Sequence, residues 1–327
     1  MEKILEVRHL KKYFPVKSGL LKRTVAHVRA TDDVSFWINE KETFGLVGES
    51  GCGKTTVGKL ILQLQKADEG QIIYDGVDLC SLSREELRKK RSEIQIIFQD
   101  PYGSLNPRMT VEAILSEGIR KHRLLPPEQI PARVEELLGL VGLHGSDAKK
   151  YPHEFSGGQR QRIAVARALS FNPRLIVCDE PVSALDVSVQ AQILNLLVDL
   201  QEQLGISYLF IAHGMAVVKH ITHRVGVMYL GKLVEVGPTD EVFSNYAHPY
   251  SQALLLSAPV ANPEKKHEQV ILEGEIPNPI NPPSGCRFHP RCRYACDICR
   301  TEEPKLKLYR PDHLVACHFP EAFKKEK

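Results

Sequence analysis

The chain has 327 residues, 43% of them hydrophobic and 25% charged, enough for one large or two modest domains with apolar cores. Lys and Arg number 43 against 40 Asp and Glu, a formal net charge of +3 with no basic tract, so a nucleic-acid partner is not expected. No segment supplies the ~20 apolar residues of a membrane span, and Met1-Glu2-Lys3-Ile4 opens no apolar signal core, so the expectation is a soluble protein that meets any membrane through a partner.

In chain order, Ile4–Val7, Val34–Ile38 and Gly70–Tyr74 read as strands, as does Glu42-Thr43-Phe44-Gly45-Leu46-Val47. That last segment runs into Gly48-Glu49-Ser50-Gly51-Cys52-Gly53-Lys54-Thr55, which satisfies Gly-x-x-x-x-Gly-Lys-[Ser/Thr]. The glycines let backbone N–H groups turn inward as an anion-binding nest. Val57, Leu60, Ile61 and Leu64 follow at helical spacing, and a helix there aims its positive end at the same phosphates. Lys54 is suited to neutralise phosphate charge and the Thr55 hydroxyl to hold Mg²⁺.

Residues 100–107 (Asp-Pro-Tyr-Gly-Ser-Leu-Asn-Pro) read as a loop, and Val111–Lys121 and Pro131–Val141 as helices. Ser156-Gly157-Gly158-Gln159 opens a predicted helix over Gln159–Ser170, with small residues at the start that leave its N–H groups open to an anion. Leu175-Ile176-Val177-Cys178 is an apolar run ending in Asp179-Glu180, the pattern of a buried parallel strand with carboxylates at its C-terminal edge, where α/β sheets bind ligands. There Asp179 would orient Mg²⁺ and Glu180 would act as general base on the attacking water. Ser183-Ala184-Leu185-Asp186 follows at once, and His213 follows the apolar strand Tyr208–Ala212. Residues 160–230 alternate helix and strand, as a parallel sheet requires.

Taken together, Gly48–Thr55, Gln99, Ser156–Gln159, Asp179–Glu180, Ser183–Asp186 and His213 resemble the ATP-binding subunit of an ABC transporter, over roughly residues 1–235. The resemblance implies an α/β fold: a P-loop core with a parallel sheet, an N-terminal antiparallel β subdomain, and a helical subdomain at about 100–165 that faces membrane subunits. It implies that nucleotide is held by Gly48, Ser50, Gly51, Cys52, Gly53, Lys54, Thr55, Thr56, Gln99, Asp179 and His213, with Ser156, Gly158 and Gln159 supplied from the opposite subunit. Mg²⁺ would fall to Thr55, Gln99 and Asp179, and catalysis to Glu180, Gln99 and His213. Tyr13 and Phe14 are both candidates for the aromatic that stacks on adenine, and aligning Lys12 with the family's usual basic residue favours Phe14. Phe155 stands where the family usually has Leu. A single cassette without long heptads argues against chromosome-maintenance and translational ABC proteins.

The tail narrows the resemblance. His248-Pro249-Tyr250, a short helical stretch Ser251–Ser257, a linker with Pro277, Pro279, Pro282 and Pro283, and the run Gly285–Cys292 resemble the C-terminal extension of dipeptide/oligopeptide importer ATPases, shared with nickel importers. The insertion Val16–Ala30 fits the same subfamily. The implied segments are 1–235, the cassette; 236–262, a helical connection; and 263–327, a Pro/Cys-rich metal-binding extension. Five of the eight cysteines lie between 286 and 317. In a chain expected in a reducing compartment such a cluster points to metal or redox chemistry before disulfides. Cys286, Cys292, Cys299 and Cys317 match the family set, at intervals x5, x6 and x17 without paired C-x2-C spacing. A [4Fe–4S] cluster tolerates that spacing; Zn²⁺ and free thiols or disulfides stay open.

The implied activity is ATP hydrolysis that powers import of di- and oligopeptides, with ATP clamped between two nucleotide-binding subunits. The alternatives are an ATPase of a nickel or other small-solute importer, and a non-transport ABC ATPase. Implied partners are a second ABC ATPase subunit (a sibling chain or a copy), two membrane permease subunits and an extracytoplasmic peptide-binding protein, with the chain at the cytoplasmic face of the membrane.

Overall fold

The structure is a computed structural model that describes residues 2–19, 23–256 and 274–320. Its strands are β1 (Lys3–Ser18), β2 (Arg23–Asn39), β3 (Thr43–Val47), β4 (Glu69–Tyr74), β5 (Val77–Asp78), β6 (Ile94–Ile97), β7 (Leu175–Asp179), β8 (Ser207–Ala212), β9 (Arg224–Tyr229), β10 (Lys232–Pro238), β11 (Lys307–Arg310) and β12 (His313–Val315). Its helices are α1 (Lys54–Ile61), α2 (Arg84–Lys90), α3 (Pro101–Ser104), α4 (Val111–His122), α5 (Ile130–Leu140), α6 (Gly157–Leu169), α7 (Val187–Leu204), α8 (Met215–Ile221), α9 (Thr239–Ser244), α10 (Pro249–Leu256) and α11 (Asp297–Thr301). Two compact units interleave along the sequence: one from Met1–Ile4, Ile38–Glu42 and Ser81–Ile211, the other from Leu5–Trp37, Thr43–Cys80 and Ala212–Lys327. Residues 20–22 of the expected insertion, Ser257 of the expected short helix, and the stretch 258–273 of the connection and extension lie outside the described residues.

In the first unit the strands run in the order β8-β7-β6 and pair in parallel, with Ile97 opposite Cys178 and Asp179 opposite Ile211. All five residues of β7 and all six of β8 are buried, which is why both read as unbroken apolar runs rather than alternating ones. Helices α4, α5 and α6 fill the stretch between Gln99 and β7. They bury Ile114, Leu115 and Ile119, then Val134, Leu137 and Leu138, then Ile163 and Val165.

In the second unit one sheet has the order β2-β1-β4-β5, with β1 antiparallel to β4. The other runs β11-β12-β10-β9-β3, in which only β3 and β9 are parallel. The α/β fold with a parallel sheet, an N-terminal antiparallel sheet and a helical region agrees with the sequence expectation.

Three local expectations change. Helix α1 ends at Ile61, one turn before Leu64, which is 52% exposed. Gln63 adopts φ 52, its N–H bonds Leu60 O (2.9 Å), and Leu64 N–H bonds Lys59 O (2.9 Å), a Schellman closure that apolar spacing alone does not reveal. The expected loop at 100–107 contains α3, started by Asp100, whose carboxylate accepts from Tyr102 N–H at 2.8 Å. Helix α2 was not expected, although Ser83 and Glu86 form a full capping box before it.

The C-terminal segment adds strands to the second unit's sheet: β12 pairs with β10, placing Glu235 opposite Val315. Glu235 is fully buried, and its carboxylate is satisfied by Ala247 N–H (2.8 Å), His248 N–H (3.0 Å) and His313 Nε2 (2.7 Å). One side chain thus ties β10 to β12 and to the start of α10. Glu235→Ala strands His313 and two N–H groups in an apolar interior. The expected loss is about 3–5 kcal/mol, read as a lower urea midpoint; a midpoint within error of the parent would refute this role.

Candidate active site

The phosphate loop leaves β3 and enters α1 with backbone shapes that only glycine holds easily. Gly48, Gly51 and Gly53 have φ of 154°, 77° and 111°. A Cβ on Gly48 would lie 2.1 Å from the Met228 carbonyl oxygen, and one on Gly53 would lie 2.0 Å from that of Ala30. Gly53 is also the N-cap of α1 and gives no side-chain cap, so the first N–H groups of the helix are left for an anion. Lys54 is 3% exposed and its ammonium donates to the carbonyls of Gly48 (2.6 Å) and Glu49 (3.0 Å). Ser50 and Gly51 are exposed, Thr55 and Thr56 half-buried, and Cys52 is buried, which raises its thiol pKa.

Tyr13 and Phe14 follow each other on β1. Tyr13 donates its hydroxyl to Asp32 at 2.6 Å, and burial followed by that bond pushes its pKa up to about 12. Phe14 is half-buried with the Lys12 ammonium 5.6 Å from its ring centre. Asp32 is tied to the phosphate loop through Gly231: Asp32 N–H bonds Gly231 O (2.8 Å), and Gly231 N–H bonds Cys52 O (2.9 Å).

In the first unit Asp179 ends β7 and Glu180 follows it, 7% and 5% exposed. Glu180 has φ 52, a left-handed conformation uncommon for this residue type. It is held there by its N–H on Ile211 O (3.0 Å) and by the Ser183 hydroxyl on its carbonyl (3.1 Å). Gln99 lies two residues beyond β6, the parallel neighbour of β7, so it sits at the same sheet edge and is exposed. His213, exposed, follows β8 directly. The strained backbone at Glu180 leaves no mark in the sequence.

Ser156 caps α6. Its hydroxyl accepts from Gln159 N–H (3.3 Å), while the Gln159 side chain accepts from Ser156 N–H (3.0 Å). Each side chain therefore takes the other residue's backbone N–H, and the N–H groups left for an anion are those of Gly157 and Gly158. A Cβ on Gly158 would fall 2.4 Å from a Val189 methyl in the first turn of α7, whose N-cap is Asp186. The signature helix and the Ser183–Asp186 loop are thereby packed as one piece.

In the tail, Cys286, Cys292, Cys299 and Cys317 line one pocket with His248, Phe288 and His289. Its free space is about 20 Å³, close to that of one water. Burial pushes the Cys286 thiol up to about 11 and that of Cys317 up to about 12. Among the described residues no three His, Cys, Asp or Glu side chains converge closely enough to hold one metal ion. Cys296 and Cys299 have sulfurs 3.7 Å apart, and Cys296 is not among the residues that line the pocket. Two arginines of the same turn were given no role by the sequence. Arg287 reaches Asp32 and the Leu230 carbonyl, and Arg291 grips the Glu49 carboxylate at 2.7 and 3.1 Å. Buried cations flanked by cysteines were the available sequence signal, but their partners are far away in the chain.

A glycine nest before an uncapped helix, a capped Ser-Gly-Gly-Gln helix and a carboxylate pair at a parallel strand end, in this order, define an ATP-binding cassette ATPase. Residues 31–183 match the ABC transporter family, and residues 234–299 match the family described as oligopeptide/dipeptide transporter, C-terminal region. The chain is 54% identical over 320 residues, 97% of each chain, to the oligopeptide transport ATP-binding protein AppF of Bacillus subtilis (strain 168). It is 47% identical over 314 residues, 96% of this chain and 93% of the relative, to the dipeptide transport ATP-binding protein DppF of Escherichia coli (strain K12). Among solved structures it resembles the ATP-binding cassette MJ0796, a dimer in a post-hydrolysis state with ADP and Pi. The TM-score is 0.63 and the identity 29%, over 72% of this chain and 98% of that one. The chain belongs to the ABC transporter ATP-binding proteins, in the oligopeptide/dipeptide transport family, and is an ATPase of that type.

Gly53→Ala must move either the loop or the Ala30 carbonyl, and the left-handed backbone adds strain of about 1–3 kcal/mol. The expected outcome is lower thermal stability together with weaker ATP binding by calorimetry; a variant equal to the parent in both would show that the loop shape is not fixed as described.

Proposed function

We propose that this chain hydrolyses ATP to drive di- and oligopeptide import through a membrane permease, as one of two cassettes that close on two ATP molecules. The observation that carries this reading is 54% and 47% identity, over nearly the whole chain, to peptide transport ATP-binding proteins, joined to a phosphate loop with its glycine backbone geometry. The peptide transport names of these relatives favour peptide over nickel, and the MJ0796 dimer with ADP and Pi supports the paired arrangement. Among the described residues no helix is long and apolar enough to cross a membrane. The peptide transport role of its relatives assigns the chain to the cytoplasmic face, docked on two permease subunits that work with an extracytoplasmic binding protein. Its second cassette is a sibling or a copy. Residues 1–235 serve as the cassette, with about 100–165 meeting the permeases, 236–262 as connection and 263–327 as the metal-binding extension.

In this reading the N–H groups of Gly48–Thr56 cradle the phosphates and Lys54 leaves its carbonyl partners to meet β/γ-phosphate charge. Thr55, Gln99 and Asp179 would hold Mg²⁺, which would supply neutralisation of phosphate charge. Tyr13 or Phe14 stacks on adenine; the Tyr13 hydroxyl anchored on Asp32 favours a fixed ring at that position. Glu180, on its strained backbone, takes the proton of the attacking water, His213 contacts the γ-phosphate, and Ser156, Gly158 and Gln159 cap nucleotide held by the partner cassette.

The four thiols Cys286, Cys292, Cys299 and Cys317 would hold a [4Fe–4S] cluster. Four sulfurs lining one pocket is the right donor set. As placed, the four side chains converge on no single metal ion, and Zn²⁺ stays the alternative occupant. The sulfurs must part to admit a cluster and give up their protons on binding. The group would act as a structural staple for a short segment with little core of its own.

Glu180→Gln is expected to keep ATP binding, abolish turnover and accumulate a closed dimer visible by gel filtration with ATP; retained turnover would remove Glu180 as base. Lys54→Ala is expected to lose nucleotide affinity itself. Anaerobic purification should give brown protein with about four irons per chain, and Cys286→Ser should lose most of that iron. A colourless chain with one zinc would replace the cluster and leave the ATPase reading standing.

A further inference from the structure

We propose that Arg291, from the C-terminal extension, is a positioning residue of the nucleotide site: it neutralises and holds the Glu49 carboxylate within the phosphate loop. The proposal rests on the reading of Gly48–Thr55 as that loop. Glu49 is its second residue, and three of its groups are engaged. Its carbonyl accepts from the Lys54 ammonium (3.0 Å), its N–H donates to the Tyr250 hydroxyl (2.8 Å), and its carboxylate takes both Arg291 Nη atoms (2.7 and 3.1 Å).

A loop that binds polyphosphate carries a negative side chain at a cost. An unpaired carboxylate there repels the ligand and competes for Lys54. Arg291 cancels that charge with a two-pronged grip, which also fixes the direction of the Glu49 backbone. The arginine side chain is 5% exposed, so solvent screens the pair weakly.

The segment that presents Arg291 is itself fastened twice. Arg291 N–H bonds Phe288 O (3.0 Å), and Cys286 N–H bonds Cys299 O (2.9 Å). Earlier in the same turn Arg287 is clasped by Asp32 and by the Leu230 carbonyl, beside the Gly231 that bonds Cys52 of the loop. Asp32 stays ionised below the usual carboxylate range: burial raises it, and the Tyr13 hydrogen bond with the Arg287 charge outweighs that. The turn between Cys286 and Cys292 is thus built into the phosphate-loop side of the second unit, and the extension becomes part of the nucleotide site.

The test is a double-variant cycle in the full chain, reading Mg-ATP affinity by calorimetry, KM and kcat for ATP hydrolysis, and thermal stability. Arg291→Ala is expected to weaken ATP binding about tenfold or more, raising KM more than it lowers kcat. Arg291→Lys should recover part of the affinity, and adding Glu49→Gln to Arg291→Ala should recover most of it, because the unpaired charge is gone. Unchanged affinity in Arg291→Ala, or a loss that Glu49→Gln does not relieve, overturns the proposal. Lys54→Ala separates the two readings: if it too leaves ATP binding intact, the phosphate-loop assignment has failed, not the arginine. Arg291→Gln with Glu49→Gln carries the same comparison if the alanine variant does not fold.

Discussion

A backbone that binds phosphate must keep clear the space that side chains normally fill. At Gly48 and Gly53 that space is closed from outside by the carbonyls of Met228, on β9, and Ala30, on β2. The loop is therefore moulded by two strands distant in sequence. Much of the second unit is arranged to support it: Gly231 bonds Cys52, Tyr250 bonds the Glu49 N–H, and Arg291 takes the Glu49 carboxylate. Lys54 is folded onto the carbonyls of Gly48 and Glu49, so its ammonium stays at the loop.

The first unit shows the same economy at the edge that carries its two acids. β7 ends in two nearly buried acids, and the second is turned into a left-handed backbone pinned by Ile211 O and Ser183. Strain of that kind persists only where the surroundings over-determine it, and it aims a carboxylate that a relaxed chain would leave to wander. The Ser156–Gln159 box and the bare Cα of Gly158 fix the start of α6 against α7, so the two motif loops on either side of β7 are held as one rigid surface.

Most of the site was legible in the sequence because its motifs are local. A glycine nest, a strand ending in acids and a Ser-Gly-Gly-Gln helix start each declare themselves within a few residues, and β7 and β8 show their burial as apolar runs. What stayed hidden depends on partners far along the chain. Arg291 meets Glu49 across 242 residues, and His313 meets Glu235 across 78. No spacing rule links such pairs, and a lone arginine or histidine among tail residues looks like ordinary surface chemistry. Between these extremes lie α2, whose capping box was readable, and the early end of α1, which Gln63 imposes through a left-handed turn that glutamine seldom adopts.

The pairing of β12 with β10 has a consequence for how this chain tolerates cutting. β11 and β12 cover the flank of β10, whose central residues are buried. A chain ending after Pro238 would bare that flank as an open row of unpaired N–H and C=O groups beside Leu233, Val234 and Val236, a template for strand addition by a second molecule. The buried Glu235 would face the same opening without His313. Beyond any metal chemistry, the last strands thus work as a guard rail for the sheet, and trimming the tail trades a compact molecule for a self-associating one.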